Sequence, residues 1–420
     1  MTTIDLARHV RPGDTITWGQ ASAEPTTLVE ALVAQADAIG DLRCFVGIPA
    51  ASALTVDTVP DGLAVHSYCG AGTNAALHAA DRLDIWPVHY STLPGLLSGG
   101  ALHADVVLVQ VSPPDERGRH SLGLGDDYFS AAIDTARVVI AEVNDQVPFT
   151  LGARTLTADR ITAAVHVSRT PGQVPTPSVR EDARAVARRV AELVPDGATL
   201  QFGIGALPEA VLAELFGHRD LGIHSGIVND TAMRLVEAGV ANGSRKSLDK
   251  GVAVAGLLGG TTELFRWAHR NPAVELRATA YTHDPAVLAA SYRLVAVNAA
   301  IEVDLTGQVN AELAGGRYVG AVGGAVDFLR GAARSAGGVP VVALPATARG
   351  RTGPVQRIVD RLSGPVSTPR SEQIVVVTEH GVADLRGASL TERVERMIAV
   401  ADPAHRAELD AHAERVLASA

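Results

Sequence analysis

Short runs rich in Val, Ile and Leu recur along this chain, and Ala/Leu/Arg segments with a helical repeat separate them. "DVVLVQVS" (105–112), "ARVVIAEVN" (136–144), "RLVAVNAAIEVDL" (293–305), "VPVVALPA" (339–346) and "QIVVVTEHG" (373–381) read as strands. "PTTLVEALVAQADAI" (25–39), "REDARAVARRVAELV" (180–194) and "DTAMRLVEAGV" (230–240) read as helices. Strands that are apolar on both sides and alternate with helices belong in a largely parallel sheet with helices on both faces. The expected fold class is therefore α/β.

A chain of 420 residues is longer than one hydrophobic core normally serves. The stretch "SRTPGQVPTPS" (168–178) carries three prolines among Gly, Ser and Thr, which places a domain boundary there. Domains of 1–175 and 176–420 follow. A repeat supports the cut: "RPGDTITWGQASAEPTTLVEALV" (11–33) resembles "VPDGATLQFGIGALPEAVLAELF" (194–216). Each copy runs from a turn through a short strand, a glycine (Gly19, Gly203) and a proline into a helix. Two related α/β domains are expected, and ligands favour domain interfaces and the carboxyl ends of strands.

The net charge of -10 provides no basic surface for nucleic acid or for acidic membranes. Positive charge is nearly all Arg, with Lys246 and Lys250 the only lysines. Cys44 and Cys69 are too few and too isolated for a disulfide framework or a zinc site, so no metal is expected. The start "MTTIDLARHVRPGD" lacks the basic and apolar regions of a signal peptide, and no apolar run is long enough to span a bilayer. A cytoplasmic location is expected.

Several stretches carry candidate chemistry. "LQFGIGALPEA" (200–210) is a strand entering a glycine-bracketed turn and a helix, where Gly203, Ile204 and Gly205 offer backbone N–H groups to a developing oxyanion. The same pattern also suits a tight turn without a ligand. "GGRYVGAVGGAVDFLRGAARSAGG" (315–338) exposes unshielded backbone at Gly323 and Gly324, or else is a linker. "VSPPDERGRHSLGLGDDY" (111–128) gathers Asp115, His120 and Asp127 after a strand. In 293–305, strand period puts Val295, Val297, Ala299, Ile301, Val303 and Leu305 on one unbroken apolar face and Glu302 and Asp304 on the other. That second face lines a cavity or is the wet side of an edge strand.

These stretches, with "DLGIHSGIVND" (220–230) and "VVVTEHGVADLRG" (375–387), resemble in order the acetyl-CoA hydrolase/transferase family, which includes 4-hydroxybutyrate and succinyl-CoA:acetate CoA-transferases. The resemblance covers nearly the whole chain. It implies two similar open α/β/α domains of the CoA-transferase type with the active site between them. It also implies an acyl-CoA substrate, a small carboxylate as a further partner, a homo-oligomer such as a dimer, and no metal or redox cofactor. In the family's transferases a glutamate after "GIH-S/T" attacks the thioester and passes through a glutamyl-CoA intermediate. Here that position is Gly226. Ala321 and Ala325 also replace a glycine and a glutamine of the family's pattern, while Gly323 and Gly324 remain. Without the glutamate the expected activity is thioester hydrolysis or another acyl-CoA reaction. The alternatives are CoA transfer through another group and acyl-CoA binding without turnover. Candidate catalytic residues are Glu302, His224 and Ser225, with Asp304 and Asp127 as further possible bases. Gly203, Ile204, Gly205, Gly226, Gly323 and Gly324 are expected to meet the CoA ester.

Overall fold

A computed structural model describes residues 4–50, 53–350 and 353–419, which divide into two units. The first contains the described residues up to Pro175 with Ser225–Met233 and Val254–Asp284. The second contains Thr176–His224, Arg234–Ala253 and the described residues from Pro285 onward. The chain thus crosses between units more than once, which a single cut at 175 does not describe.

The first unit is built on a seven-stranded sheet. Its strands are β1 (Thr15–Trp18), β2 (Leu42–Val46), β3 (Leu63–Ser67), β4 (Leu83–Ile85), β5 (Val106–Val111), β6 (Val138–Asn144) and β7 (Ala163–Val167). They lie in the order β4-β3-β2-β1-β5-β6-β7 with every pairing parallel. β5 and β6 are buried at every residue, so both faces of the sheet centre are covered. Helix α1 (Thr26–Ile39) presents Leu28, Leu32 and Ala36 at helical spacing to the core holding Ile16, Trp18 and Leu108. Each such leucine contributes about 1.5–3 kcal/mol by leaving water. Glu142 of β6 accepts hydrogen bonds from the Thr27 and Leu28 amides (2.7 and 3.2 Å), and so neutralises the open N–H groups of the first turn. Gly40, at φ +84°, ends the helix.

The second unit carries a six-stranded sheet of β8 (Thr199–Phe202), β9 (Gly222–Ile223), β10 (Leu294–Ala299), β11 (Val339–Ala343), β12 (Val375–Thr378) and β13 (Gly381–Asp384). The order is β9-β8-β10-β11-β12-β13, parallel except for the final β12–β13 hairpin. Helix α2 (Ala206–Glu214) follows β8, and α3 (Ala325–Arg334) packs on β10 and β11. The two repeats each form a strand, a glycine turn and a helix. In both sheets that strand sits where the chain order changes direction, with β1 between β2 and β5 and β8 between β9 and β10.

The expected strand over 293–305 is not continuous. β10 stops at Ala299, and Glu302–Asp304 pairs instead with Val309–Asn310 and Ile358–Val359 in a separate three-stranded sheet. Ala299 is exposed and Ile301 half-buried, so the unbroken apolar face does not exist. At the break the Arg357 guanidinium donates to the Ala300 and Ile301 carbonyls, which satisfies them outside the ladder. The stretch 168–178 forms neither helix nor strand.

Candidate active site

In open parallel sheets, ligands bind beyond the carboxyl ends of strands where the strand order reverses. In the first unit this point lies between β1 and β5. The residues that follow these strands and their neighbours form a buried polar cluster there.

β1 runs into Gly19, Gln20 and Ala21. Ala21 adopts φ +48°, a left-handed conformation that costs a residue with a Cβ roughly 1–2 kcal/mol. Its amide donates to the Ile48 carbonyl at 2.7 Å, which fixes the turn and aims Gln20 inward. The Ile48 amide in turn donates to Gln20 Oε1 at 3.1 Å. A backbone N–H can only donate, so the amide orientation of Gln20 is determined. Tyr68 Oη also donates to Oε1 (2.7 Å), and Nε2 reaches Tyr90 Oη (2.7 Å) and Asp127 Oδ2 (3.1 Å). Tyr90 packs against the rings of Tyr68 (5.2 Å between centroids), Tyr128 (6.0 Å) and His283 (4.9 Å). Burial first, and neighbouring Asp127 after it, push the Tyr90 and Tyr128 phenols well above their ordinary range. These hydroxyls stay protonated; that of Tyr128 donates to the Trp18 carbonyl (2.6 Å), while that of Tyr90 accepts from Gln20.

Asp127 is 2% exposed. Burial pushes its carboxyl up to about 7; the Gln20 hydrogen bond and the Phe129 and Tyr128 amides oppose this, while the adjacent Asp126 charge adds to it. Its Oδ1 has no well-formed hydrogen bond among the described residues. A buried carboxylate oxygen without a partner is costly, and such groups concentrate at functional sites.

Gly226 and Asp127 both border Gly256. The Gly226 carbonyl accepts from the Gly256 amide at 3.2 Å. A Cβ added at Gly256 would stand 3.3 Å from the Gly226 oxygen and 3.8 Å from Asp127 Cβ. Gly256 therefore allows the two segments to approach.

The remaining sequence candidates have other surroundings. Ser225 is buried; its amide donates to Val254 O (3.0 Å), and its Oγ accepts from the Ile227 amide (3.4 Å). His224 is fully buried in the second unit, with its amide on Leu200 O at 3.0 Å. Glu302 is committed to structure: its Oε1 accepts from Asn310 Nδ2 (2.9 Å), Ser363 N (2.6 Å), Ser363 Oγ (2.9 Å) and Gly364 N (3.2 Å). Asp304 closes a turn by accepting from Thr306 and Gln308. Gly203, Ile204 and Gly205 form the turn between β8 and α2, where Gly205 has φ +121° and Ile204 is 51% exposed. Gly324 caps α3, and Gly323 before it has φ +54°.

Sequence reasoning singled out Asp127 but missed Gln20, Tyr68, Tyr90 and His283. Their available signal was position, since Gln20 and Tyr68 lie just beyond strand ends. Among the described residues, no cluster of His, Cys, Asp and Glu could hold a metal, and no helix is long and apolar enough to cross a membrane.

Comparison with known proteins agrees with the fold and the order of motifs. The N-terminal domain of the acetyl-CoA hydrolase/transferase family matches residues 1–158, and its C-terminal domain matches residues 260–413. The 4-hydroxybutyrate coenzyme A transferase of Clostridium kluyveri is 36% identical over 403 residues, covering 94% of this chain and 92% of its own. RipA of Yersinia pestis superposes with a TM-score of 0.90 at 33% identity, covering 98% of this chain and 95% of its own. The 4-hydroxybutyrate CoA-transferase of Porphyromonas gingivalis gives 0.81 at 33% identity, with the same coverage. This chain belongs to the acetyl-CoA hydrolase/transferase family.

Proposed function

We propose that the protein cleaves an acyl-CoA thioester with water, and that Asp127 is the base. The observation that carries this reading is a buried carboxylate, pushed up to about 7 and with one oxygen lacking a well-formed hydrogen bond among the described residues, which borders Gly256 together with the glycine that replaces the family's nucleophile. A base poised near neutral pH is half-ionised at working pH yet still basic enough to take a proton from water. Asp127 removes that proton as the water oxygen bonds to the thioester carbon. The tetrahedral intermediate then collapses by breaking the C–S bond, and the proton leaves with the CoA sulfur. The products are free CoA and a carboxylic acid, which releases its proton to solvent and becomes the carboxylate. Asp304, with both oxygens accepting from Thr306 and Gln308, and Glu302, whose Oε1 accepts from Asn310, Ser363 and Gly364, are proposed to hold loops instead. Gly203, Ile204, Gly205, Gly323 and Gly324 are proposed to meet the CoA ester through backbone N–H groups, and Tyr90 and Gln20 to hold Asp127 and its water. No protein carboxylate is acylated in this cycle.

A panel of acyl-CoAs, incubated with and without acetate and followed by mass spectrometry, tests the reading. Free CoA should appear without acetate, no CoA should exchange onto acetate, and no protein adduct should form. Gly226→Glu should lose hydrolysis, because the new side chain fills the vacated space, and should gain weak acetate-dependent exchange. Strong exchange by the unmodified protein, with CoA trapped on another residue, would overturn the proposal.

A further inference from the structure

The cluster at Asp127 does not account for a groove elsewhere in the first unit. Beyond the carboxyl ends of β5 and β6, the segments 112–114 and 145–149 and the segment 265–270 enclose about 450 Å³. That is within the roughly 300–1,000 Å³ range of small-molecule sites.

Three features distinguish it from an ordinary basic surface. First, neither Arg266 nor Arg270 makes a side-chain hydrogen bond or ion pair among the described residues, although other arginines of this unit, such as Arg119, Arg154 and Arg169, are held by carboxylates. Arg266 lies in the last turn of helix Thr262–Ala268, where a cation is locally favourable. Arg270 has no such reason. Second, Arg270 has φ +52°, a left-handed conformation usually left to Gly, Asn or Asp. The Phe149 carbonyl holds its amide at 2.9 Å, and the guanidinium stands 5.7 Å from the centre of the Phe149 ring. Third, His269 Nδ1 accepts from the Phe149 amide at 3.1 Å, so Nε2 carries the ring proton and remains a donor. The single carboxylate of the lining, Asp145, is engaged by Gln146 Nε2 at 3.0 Å. Two guanidinium charges therefore face one carboxylate. Pro113, Pro114, Pro148 and Phe149 supply an apolar wall beside them.

Uncommitted guanidinium groups match phosphate oxygens, and flat apolar walls match a base. We propose that this groove binds a nucleoside phosphate, independently of the acyl-CoA reaction. ADP is the probe, titrated calorimetrically into the full chain with and without saturating CoA. Binding should persist in saturating CoA and exceed that of inorganic phosphate. It should weaken at least about tenfold in Arg266→Ala and in Arg270→Gly, the second keeping the left-handed backbone unstrained. Arg317→Ala, an exposed arginine outside the groove, should leave it unchanged. Asp127→Asn should also leave it unchanged, which separates this site from the proposed hydrolysis. Displacement of ADP by CoA would overturn the proposal by assigning the groove to the thioester's own nucleotide. Absence of ADP binding, or an equal loss in Arg317→Ala, would overturn it as well.

Discussion

The turn after β1 and the turn after β8 have the same local plan but use their glycines in opposite ways. A Cβ at Gly19 would lie 2.9 Å from both the Cβ and the carbonyl oxygen of Ala23 and 3.0 Å from the Phe129 ring, so this glycine is present because the space is full. A Cβ at Gly205 would meet nothing within 4 Å, yet its φ of +121° is open only to glycine. The following residues differ to match, with Gln20 buried in a hydrogen-bonded cluster and Ile204 half in solvent. One turn is closed around a polar core; the other leaves its backbone accessible. A shared motif therefore specifies the path of the chain without specifying what the turn is for.

The largest effect on this comparison should come from Gln20→Leu. It removes the acceptor for the part-buried Ile48 amide and the buried Tyr68 hydroxyl, leaving both donors without that partner at a cost of about 3 kcal/mol. Chemical denaturation should show the loss. Next come the glycines: Gly19→Ala and Gly205→Ala should each cost about 1–3 kcal/mol, by overpacking and by backbone strain respectively. Adding Ala23→Gly should recover part of the first loss and none of the second, because only Gly19 faces the Ala23 methyl. Equal recovery in both backgrounds would erase the distinction. The smallest effect belongs to Ile204→Ser, which should change stability by less than about 0.5 kcal/mol while weakening acyl-CoA affinity.

Much of the layered architecture was legible because apolar runs and helical periods are local signals. Helix Thr26–Ile39 and strands Val106–Val111 and Val138–Asn144 fall where their patterns place them. The run 293–305 breaks after Ala299, where Arg357, more than fifty residues later, donates to the Ala300 and Ile301 carbonyls. Periodicity contains no trace of such a contact. The cluster at Asp127 was less legible still. Gln20, Tyr68, Tyr90 and His283 are single polar residues far apart in sequence, joined only by how the strand ends and loops converge. Glu302 attracted attention as a carboxylate on a strand, and the donors that gather on its Oε1, from Asn310, Ser363 and Gly364, lie up to sixty-two residues away and leave no mark in the local pattern.

In the proposed reaction a buried carboxylate, rather than a covalent nucleophile, drives thioester cleavage. A folded-state value of about 7 against an ordinary 3.8 means that the folded protein binds the Asp127 proton more tightly than the unfolded chain does. Its contribution to stability is present at low pH and is lost as pH rises through about 7, whereas the proposed base would act only above that point. Asp127→Asn keeps an oxygen for Gln20 and removes the buried charge, so at about pH 8 it should raise stability by up to about 4 kcal/mol. The decisive measurement is kcat/KM for CoA release against pH in the parent and in Asp127→Asn, with thermal stability followed alongside. The parent should gain activity through about pH 7 and then level off, and the variant should lose at least about 100-fold while unfolding no earlier. A variant that retained activity within about threefold, or that lost activity only by unfolding, would contradict the account.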